Sequence, residues 1–168
     1  RGSVSWTYNA NDANLDFLSE GETITFSYLV TVTDSQGAID TDTITFTIVG
    51  TNDAPSISVS AASDFTEALD ASAQDLSQSG TVSFDDIDFN DVVDISYTLT
   101  GDPEWSDGTI DSDLAALLGA GFSASADNAA APGSVSWNYS VVAANLDFLS
   151  QGETITFSYL VTVTDSQG

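Results

Sequence analysis

Apolar and polar residues alternate along much of the chain with a period of two, which is typical of β-strands that bury one face. The clearest case is Glu22–Thr33, where Thr, Ser and Leu alternate with Ile24, Phe26, Tyr28, Val30 and Val32. The pattern recurs over Thr41–Val49, and Asp34-Ser35-Gln36-Gly37 between the two stretches predicts a turn. Shorter strands are predicted at Ser3–Tyr8, Ile57–Ser60, Gly80–Phe84, Val92–Thr100 and Gly121–Ala126. Many short strands separated by Gly, Asp and Ser turns predict an all-β fold, an antiparallel β-sandwich.

Two kinds of local detail accompany this prediction. Short helical turns fit Asp113–Leu118, N-capped by Asp111 or Ser112, and Ala144–Leu149 with its copy Ala13–Leu18. The inward strand positions predict a core, and we expect burial of Trp6, Trp137, Tyr8, Tyr139, Phe26, Phe157, Tyr28, Tyr159, Val30, Val161, Phe46, Ile48, Phe84 and Leu99.

A long internal repeat organises the chain. Residues 2–37 and 133–168 agree at 30 of 36 positions, at a constant offset of 131 residues. A period of this length indicates a domain rather than a solenoid turn, so about one and a quarter tandem units are present. We therefore expect residues 1–50 to be the C-terminal part of one repeat, 51–55 to be a linker, and 56–168 to be the following repeat without a counterpart of Ala38–Val49. The chain begins without Met, and we expect it to belong to a longer array.

Charge excludes several classes of function. The 168 residues contain 26 Asp and Glu but one basic residue, Arg1, for a net charge of −25. Nucleic-acid binding needs a basic surface that this chain lacks, and no apolar run is long enough for membrane insertion. Without Cys or His, disulfide scaffolds, thiolate zinc sites and His-dependent nucleophilic catalysis are also excluded. Because 42% of the residues are hydrophobic, a core is still possible and the carboxylates require an explanation.

The densest acidic segment is Asp85–Asp94, with five Asp in ten residues. Its Asp86-x-Asp88-x-Asn90 spacing opens like a calcium loop, with Asp85 and Asp91 beside it. It is not an EF-hand, because Asp91 stands where the EF-hand has Gly. Since so many carboxylates in one turn repel each other, we expect Ca²⁺ as their counter-charge, the alternative being a solvated acidic turn.

Two other groups of acidic residues can be interpreted either as calcium sites or as features without a metal. Asp34, Asp40 and Asp42 flank one hairpin turn, where an Asp is either a turn former or a calcium ligand. Around Trp105 lies a loop that is either solvated, a second calcium site or a sugar site, and its acids are Asp102, Glu104, Asp107, Asp111 and Asp113.

Three segments together resemble the VCBS-type repeats of giant bacterial surface adhesins exported by type I secretion. These are the linker Gly50-Thr51-Asn52-Asp53-Ala54-Pro55, Glu67 ahead of the stretch Gly80–Asp88, and Tyr28–Gly37. The resemblance covers the whole 131-residue unit. It implies an immunoglobulin- or cadherin-like extender module, stiffened by calcium at its junctions, and carried over to this chain it implies junction ligands at Asn52, Asp53, Glu67, Asp86 and Asp88. The chain lacks the full DxNDN linker of cadherins.

The resulting expectation is a non-enzymatic, calcium-stabilised extender repeat of a secreted adhesin or matrix protein at the bacterial cell surface. Its partners are then neighbouring repeats or identical chains, and other domains of the full protein would contact a surface glycan or the biofilm matrix. Two alternatives remain: a segment of an extracellular filament joined by strand exchange, and a calcium-dependent glycan-binding module. A paired-carboxylate glycosidase is disfavoured, because with so many acids any pair can be picked.

Overall fold

The structure, a computed structural model, describes residues 2–11 and 13–167; the chain's one basic residue, Arg1, and the last repeat position, Gly168, lie outside them. The chain divides into two compact units. Unit 1 covers the chain up to Asp53 together with Ile87–Phe89, and unit 2 covers Ala54–Asp86 and the chain from Asn90 onward.

Unit 1 is built on one antiparallel hairpin. Strand β1 (Thr23–Thr33) pairs with β2 (Ile39–Val49) in a continuous register that runs from Thr23 opposite Val49 to Thr33 opposite Ile39. The Asp34 carboxylate accepts the backbone N–H groups of Gln36 (2.8 Å) and Ala38 (2.9 Å) and so closes the turn between them. Gly37 has a φ of 88°, which disfavours any residue with a Cβ. The period-two prediction for both strands is confirmed.

One face of this hairpin carries an aromatic cluster centred on Phe46. The Phe46 ring stacks on Phe26 at 5.4 Å and also contacts the rings of Trp6 (5.4 Å), Tyr8 (4.9 Å) and Tyr28 (6.2 Å). Segment 2–11 supplies Trp6 and Tyr8 without forming a strand, so the strand predicted at Ser3–Tyr8 is wrong. As a consequence Trp6 remains 59% exposed and Tyr8 41% exposed.

Unit 2 contains the remaining strands and the helix, which are β3 (Ser56–Val59), β4 (Gln74–Asp85), β5 (Val92–Leu99), β6 (Glu104–Trp105), α1 (Ser112–Gly119), β7 (Phe122–Ser123), β8 (Ala126–Ala130), β9 (Gly133–Ala144), β10 (Ile155–Thr156) and β11 (Tyr159–Asp165). They form a four-stranded sheet in the order β3-β4-β9-β7, a three-stranded sheet in the order β11-β5-β8, and the short pair β10-β6. All pairs are antiparallel, which confirms the all-β sandwich class.

The core of unit 2 lies between these sheets. Its buried members include Val82 and Phe84 from β4, Val93 and Ile95 from β5, and Trp137, Tyr139 and Val141 from β9. The predicted core positions Phe84, Trp137 and Tyr139 are therefore confirmed. Phe157, Tyr159 and Val161 are half-buried against the same core, and Leu99 is also half-buried. Thr156 is exposed beside the inward Phe157, so the predicted strand register is correct.

In unit 1, several residues that the sequence predicted to be buried are exposed or only half-buried. Tyr28 and Val30 are exposed, as are Trp6 and Tyr8, and Phe26, Phe46 and Ile48 are only half-buried. The reason is non-local: Trp137 and Tyr139 lie on β9, which pairs with β4 and β7, whereas no described strand pairs with segment 2–11. The two copies also differ in sequence at this point. The β9 residues Ser140-Val141-Val142 correspond to Asn9-Ala10-Asn11 in the first copy, and Asn and Ala are less favourable in strands than Val.

Hydrogen bonds to Ser60 and close packing on Gly80 fix the position of the Trp137 side chain. Its indole Nε1 donates to the carbonyl (3.2 Å) and the hydroxyl (3.0 Å) of Ser60, and its ring covers Gly80. A Cβ at Gly80 would clash with both the Trp137 ring and the Ser60 hydroxyl. Glycine is therefore required at this point of β4.

Helix α1 confirms the helix predicted from the sequence. Asp111 is its N-cap, and its carboxylate accepts the N–H groups of Asp113 (3.0 Å) and Leu114 (3.3 Å). The other predicted helical turns are single hydrogen-bonded turns, Leu15 to Leu18 and Leu146 to Leu149. Among the described residues, no helix is long and apolar enough to cross a membrane.

Candidate metal centre

The loop between β4 and β5 brings three carboxylates together. Asp86, Asp88 and Asp91 are 9%, 4% and 8% exposed, and each offers an oxygen that lies within 4.8 Å of the other two. The Asp86-x-Asp88 spacing that marked this segment in the sequence thus corresponds to a spatial cluster.

In the β4–β5 loop, apolar side chains are exposed and carboxylates are buried, which is the reverse of the usual arrangement. Ile87 and Phe89 are exposed, while the carboxylates that alternate with them point inward. Asn90 makes the reversal possible with a φ of 66°, a left-handed conformation that Asn tolerates better than most residues. Since burying charge and exposing large apolar groups both cost free energy, a structure of this kind indicates a compensating role for the carboxylates.

Within unit 1, the tip of the loop is held by three hydrogen bonds. The Asp53 N–H donates to Asp88 Oδ2 at 2.8 Å, and the Phe89 N–H donates to the Phe17 carbonyl at 3.0 Å. The Ser19 hydroxyl donates to the Phe89 carbonyl at 3.3 Å. These bonds fix the position of the Asp88 carboxylate relative to the linker residue Asp53.

The donor chemistry restricts the ions that such a cluster could hold. Asp86, Asp88 and Asp91 offer only oxygen, and a chain without Cys or His has no soft or nitrogen side-chain ligand of the usual kind. Oxygen ligands suit hard cations such as calcium, magnesium and manganese. The three buried carboxylates could therefore hold a metal ion.

The remaining predicted ligands lie in different settings. Asp85 is the exposed last residue of β4 and does not belong to the carboxylate cluster. Asn52 is half-buried with its Oδ1 atom inside, and Asp53 contributes its backbone N–H to Asp88. Glu67 is half-buried in unit 2, where it lines a cleft.

Asp34 and Asp40, in the β1–β2 hairpin, accept hydrogen bonds from nearby backbone N–H groups. Asp34 is a turn former, since its carboxylate accepts two backbone N–H groups, and Asp40 is exposed on β2 with its carboxylate accepting the Thr41 N–H at 3.0 Å. In the part of the chain that the structure describes, neither belongs to a group of carboxylates close enough to share an ion.

Trp105 and its acidic loop also have structural contacts. The indole Nε1 donates to Glu153 Oε2 at 3.3 Å, and the ring packs edge-on against Phe148 at 4.9 Å. Asp111 caps α1, and the acids of this loop form no cluster of metal-binding geometry among the described residues.

Unit 2 also contains a cleft of about 980 Å³, which the acidic motifs of the sequence did not indicate. Its walls combine the segment from Val59 to Glu67 with β10, β11 and the residues before them, and its floor is made of core side chains.

Comparisons with known proteins leave the chain without an assigned family: no protein-family model matches it, and no curated protein is significantly similar to it.

Proposed function

We propose that this chain is a non-enzymatic structural module, an extender repeat of a secreted bacterial surface protein, whose β4–β5 loop binds Ca²⁺. The observation that carries the proposal is the convergence of Asp86, Asp88 and Asp91, three buried carboxylates within 4.8 Å of one another.

The geometry is compatible with calcium. Calcium–oxygen bonds are about 2.3–2.6 Å long, so oxygens on opposite sides of one ion are up to about 5 Å apart. Three side-chain oxygens within 4.8 Å of one another satisfy the calcium limit. Calcium also accepts six to eight oxygens, so water and main-chain carbonyls can complete its coordination.

The repeat supports a structural role. Residues 2–37 and 133–168 agree at 30 of 36 positions. Near-identical tandem copies suit a spacer whose contribution is length, whereas a specific binding head is usually a unique domain. The resemblance to VCBS-type repeats supports the same structural role and suggests a location at the bacterial cell surface. Extracellular calcium-binding modules commonly bind calcium with dissociation constants of about 10⁻⁴–10⁻³ M.

Thermal unfolding with and without calcium tests this function. With such dissociation constants, about 10 mM calcium stabilises the folded chain by about 1.4–2.7 kcal/mol, equivalent to a rise in Tm of about 3–10 °C over the value in EDTA. Asp88→Asn should remove most of this rise, because Asp88 is the most buried of the three carboxylates.

Asp85→Asn is the matched control, since Asp85 is exposed and outside the cluster. It should leave the calcium-dependent rise in Tm unchanged. Equal Tm in EDTA and calcium for the unmodified chain would contradict the proposal, as would equal effects of the two substitutions.

A further inference from the structure

The loop around Trp105 contains the one Asp–Gly pair of the sequence, Asp107-Gly108. An Asp–Gly pair can rearrange without an enzyme, because the backbone nitrogen of the second residue can attack the side-chain carboxyl carbon of the first. Glycine in the second position favours this reaction, since it has no Cβ that would hinder the approach of its nitrogen. The reactivity of the pair then depends on how the fold holds these two residues.

The turn that contains the pair is accessible and weakly closed. Asp107 and Gly108 are both exposed, in a turn that runs from Trp105 to Gly108. The Gly108 N–H donates to the Trp105 carbonyl at 3.5 Å. Backbone hydrogen bonds of this kind are usually about 2.7–3.2 Å long, so the bond that would keep the Gly108 nitrogen from reacting is weak.

Hydrogen bonding also distinguishes Asp107 from the Asp residues that precede Ser, which is small enough to permit the same attack. These are Asp34, Asp111 and Asp165. Each has a carboxylate oxygen that accepts the backbone N–H of the residue two positions later, at 2.8, 3.0 and 2.8 Å respectively. Such a bond restrains the carboxylate in a local turn. The Asp107 carboxylate accepts no hydrogen bond from the residues that the structure describes, so its side chain is free to rotate toward the Gly108 nitrogen.

We propose that Asp107 is a site of spontaneous isomerisation in the folded chain. The Gly108 nitrogen forms a bond to the Asp107 carboxyl carbon, and the carboxyl OH and the amide proton leave together as one water molecule. Solvent water then adds to the resulting five-membered succinimide ring and opens it at one of its two carbonyls. Opening at the main-chain carbonyl gives isoaspartate, and opening at the side-chain carbonyl restores aspartate.

The product changes the main chain of a turn that has close contacts. Isoaspartate adds one methylene group to the backbone between Ser106 and Gly108. On one side, Ser106 exchanges two hydrogen bonds with Thr154, both at 3.0 Å. On the other side, the Trp105 ring packs so closely on Gly108 that an added Cβ would lie 3.1 Å from it. The longer backbone cannot keep both contacts in place, so isomerisation should loosen the packing of Trp105 on this turn.

Peptide mapping of aged protein tests the proposal. The full chain is kept folded in neutral buffer at physiological temperature, and samples taken over time are labelled with an isoaspartyl methyltransferase, which methylates isoaspartate but not aspartate. The label should accumulate in the peptide that contains Asp107 at least several-fold faster than in the peptides that contain Asp34 or Asp111. A species of this peptide that is lighter by one water molecule, the succinimide, should accompany it.

Asp107→Glu should abolish the label at this position, because the six-membered ring that Glu would form closes far more slowly than the five-membered ring. The residue is exposed, so the variant should fold, and circular dichroism checks this.

Ser35→Gly is the matched control, because it creates a second Asp–Gly pair in which the Asp34 carboxylate accepts two backbone N–H groups, at 2.8 and 2.9 Å. In the folded variant, position 34 should isomerise at least several-fold more slowly than position 107. In denaturant the two positions should react at similar rates, because the hydrogen bonds that restrain Asp34 are then lost.

Two results would overturn the proposal. One is the absence of isoaspartate at position 107 of the folded chain after a time in which the denatured chain is labelled there. The other is equal rates at positions 34 and 107 in folded Ser35→Gly. The reaction needs no ion and can be followed in EDTA, so its failure is separable from failure of the calcium proposal.

Discussion

Tyr8 and Tyr139 occupy the same position of two nearly identical repeat copies, yet Tyr139 is 5% exposed and Tyr8 is 41% exposed. Each packs on the equivalent Phe of its own copy, Phe26 or Phe157, at almost the same distance. In unit 2, Tyr139 has further neighbours, which include the Phe65 ring at 5.6 Å and the Leu118 carbonyl at the end of α1. The same local sequence therefore gives the same local contact but a different burial.

The two Trp residues of the repeat should differ in their contribution to stability. Trp137 is 3% exposed in the core, so Trp137→Ala should lower the free energy of unfolding by about 3–5 kcal/mol. Trp6 is 59% exposed and mainly contacts Phe46, so Trp6→Ala should cost about 1 kcal/mol. Denaturant unfolding followed by circular dichroism measures both, and equal losses would refute the assigned burial.

Two tyrosine hydroxyls donate to carbonyls at the end of α1. The Tyr139 OH donates to the Leu118 carbonyl at 3.1 Å, and the Tyr159 OH donates to the Leu118 and Gly119 carbonyls at 3.0 Å. These are carbonyls of the last helical turn, and the Leu118 carbonyl also accepts the N–H of Gly121 at 3.4 Å. Tyr159→Phe should therefore cost about 1–2 kcal/mol in denaturant unfolding.

Tyr28→Phe provides the comparison for this loss, because Tyr28 has the same sequence context but is exposed. Its effect on the free energy of unfolding should be within about 0.5 kcal/mol. If the two substitutions cost the same, the hydroxyl contacts with α1 do not stabilise the fold.

Stability should fall in alkaline solution. Burial, and secondarily the charge of Tyr159, raises the pKa of Tyr139 far above its usual range, and burial also raises the pKa of Tyr159. An unfolded Tyr loses its proton near pH 10, so above this pH the unfolded state releases protons that the folded state retains. The contribution is complete below about pH 10 and is lost as the pH rises further toward the folded-state pKa values.

The dependence of the denaturation midpoint on pH, measured above about pH 9 with tyrosinate absorbance, checks this expectation. Tyr139→Phe should reduce the steepness of the decline. A midpoint that stays constant through pH 11, about one unit above the ordinary Tyr pKa, would contradict it.

Sequence periodicity predicted the strands whose pattern is local. The alternation over Glu22–Thr33 predicted strand β1, although its positions Tyr28 and Val30 are exposed, and Asp111 marked the start of α1. The Asp86-x-Asp88 spacing located the carboxylate cluster because all its members lie in one loop. Each of these features depends on residues close together in the chain.

The features that the sequence did not predict depend on contacts between residues that are far apart along the chain. The segment Ser3–Tyr8 has the strand pattern of Ser134–Tyr139, but only the second copy has β4 beside it. Similarly, the roles of Tyr139 and Tyr159 depend on α1, which comes earlier in the chain and is not part of the repeated segment. Strand pairing between remote segments is selected by the whole fold, so identical residues can have different environments.

The most direct test of the calcium proposal is a crystal structure of the chain grown with calcium and recorded for anomalous scattering. We predict one ion with oxygens of Asp86, Asp88 and Asp91 at about 2.3–2.6 Å. An ordered β4–β5 loop at saturating calcium with no anomalous peak beside these three carboxylates would contradict the proposal.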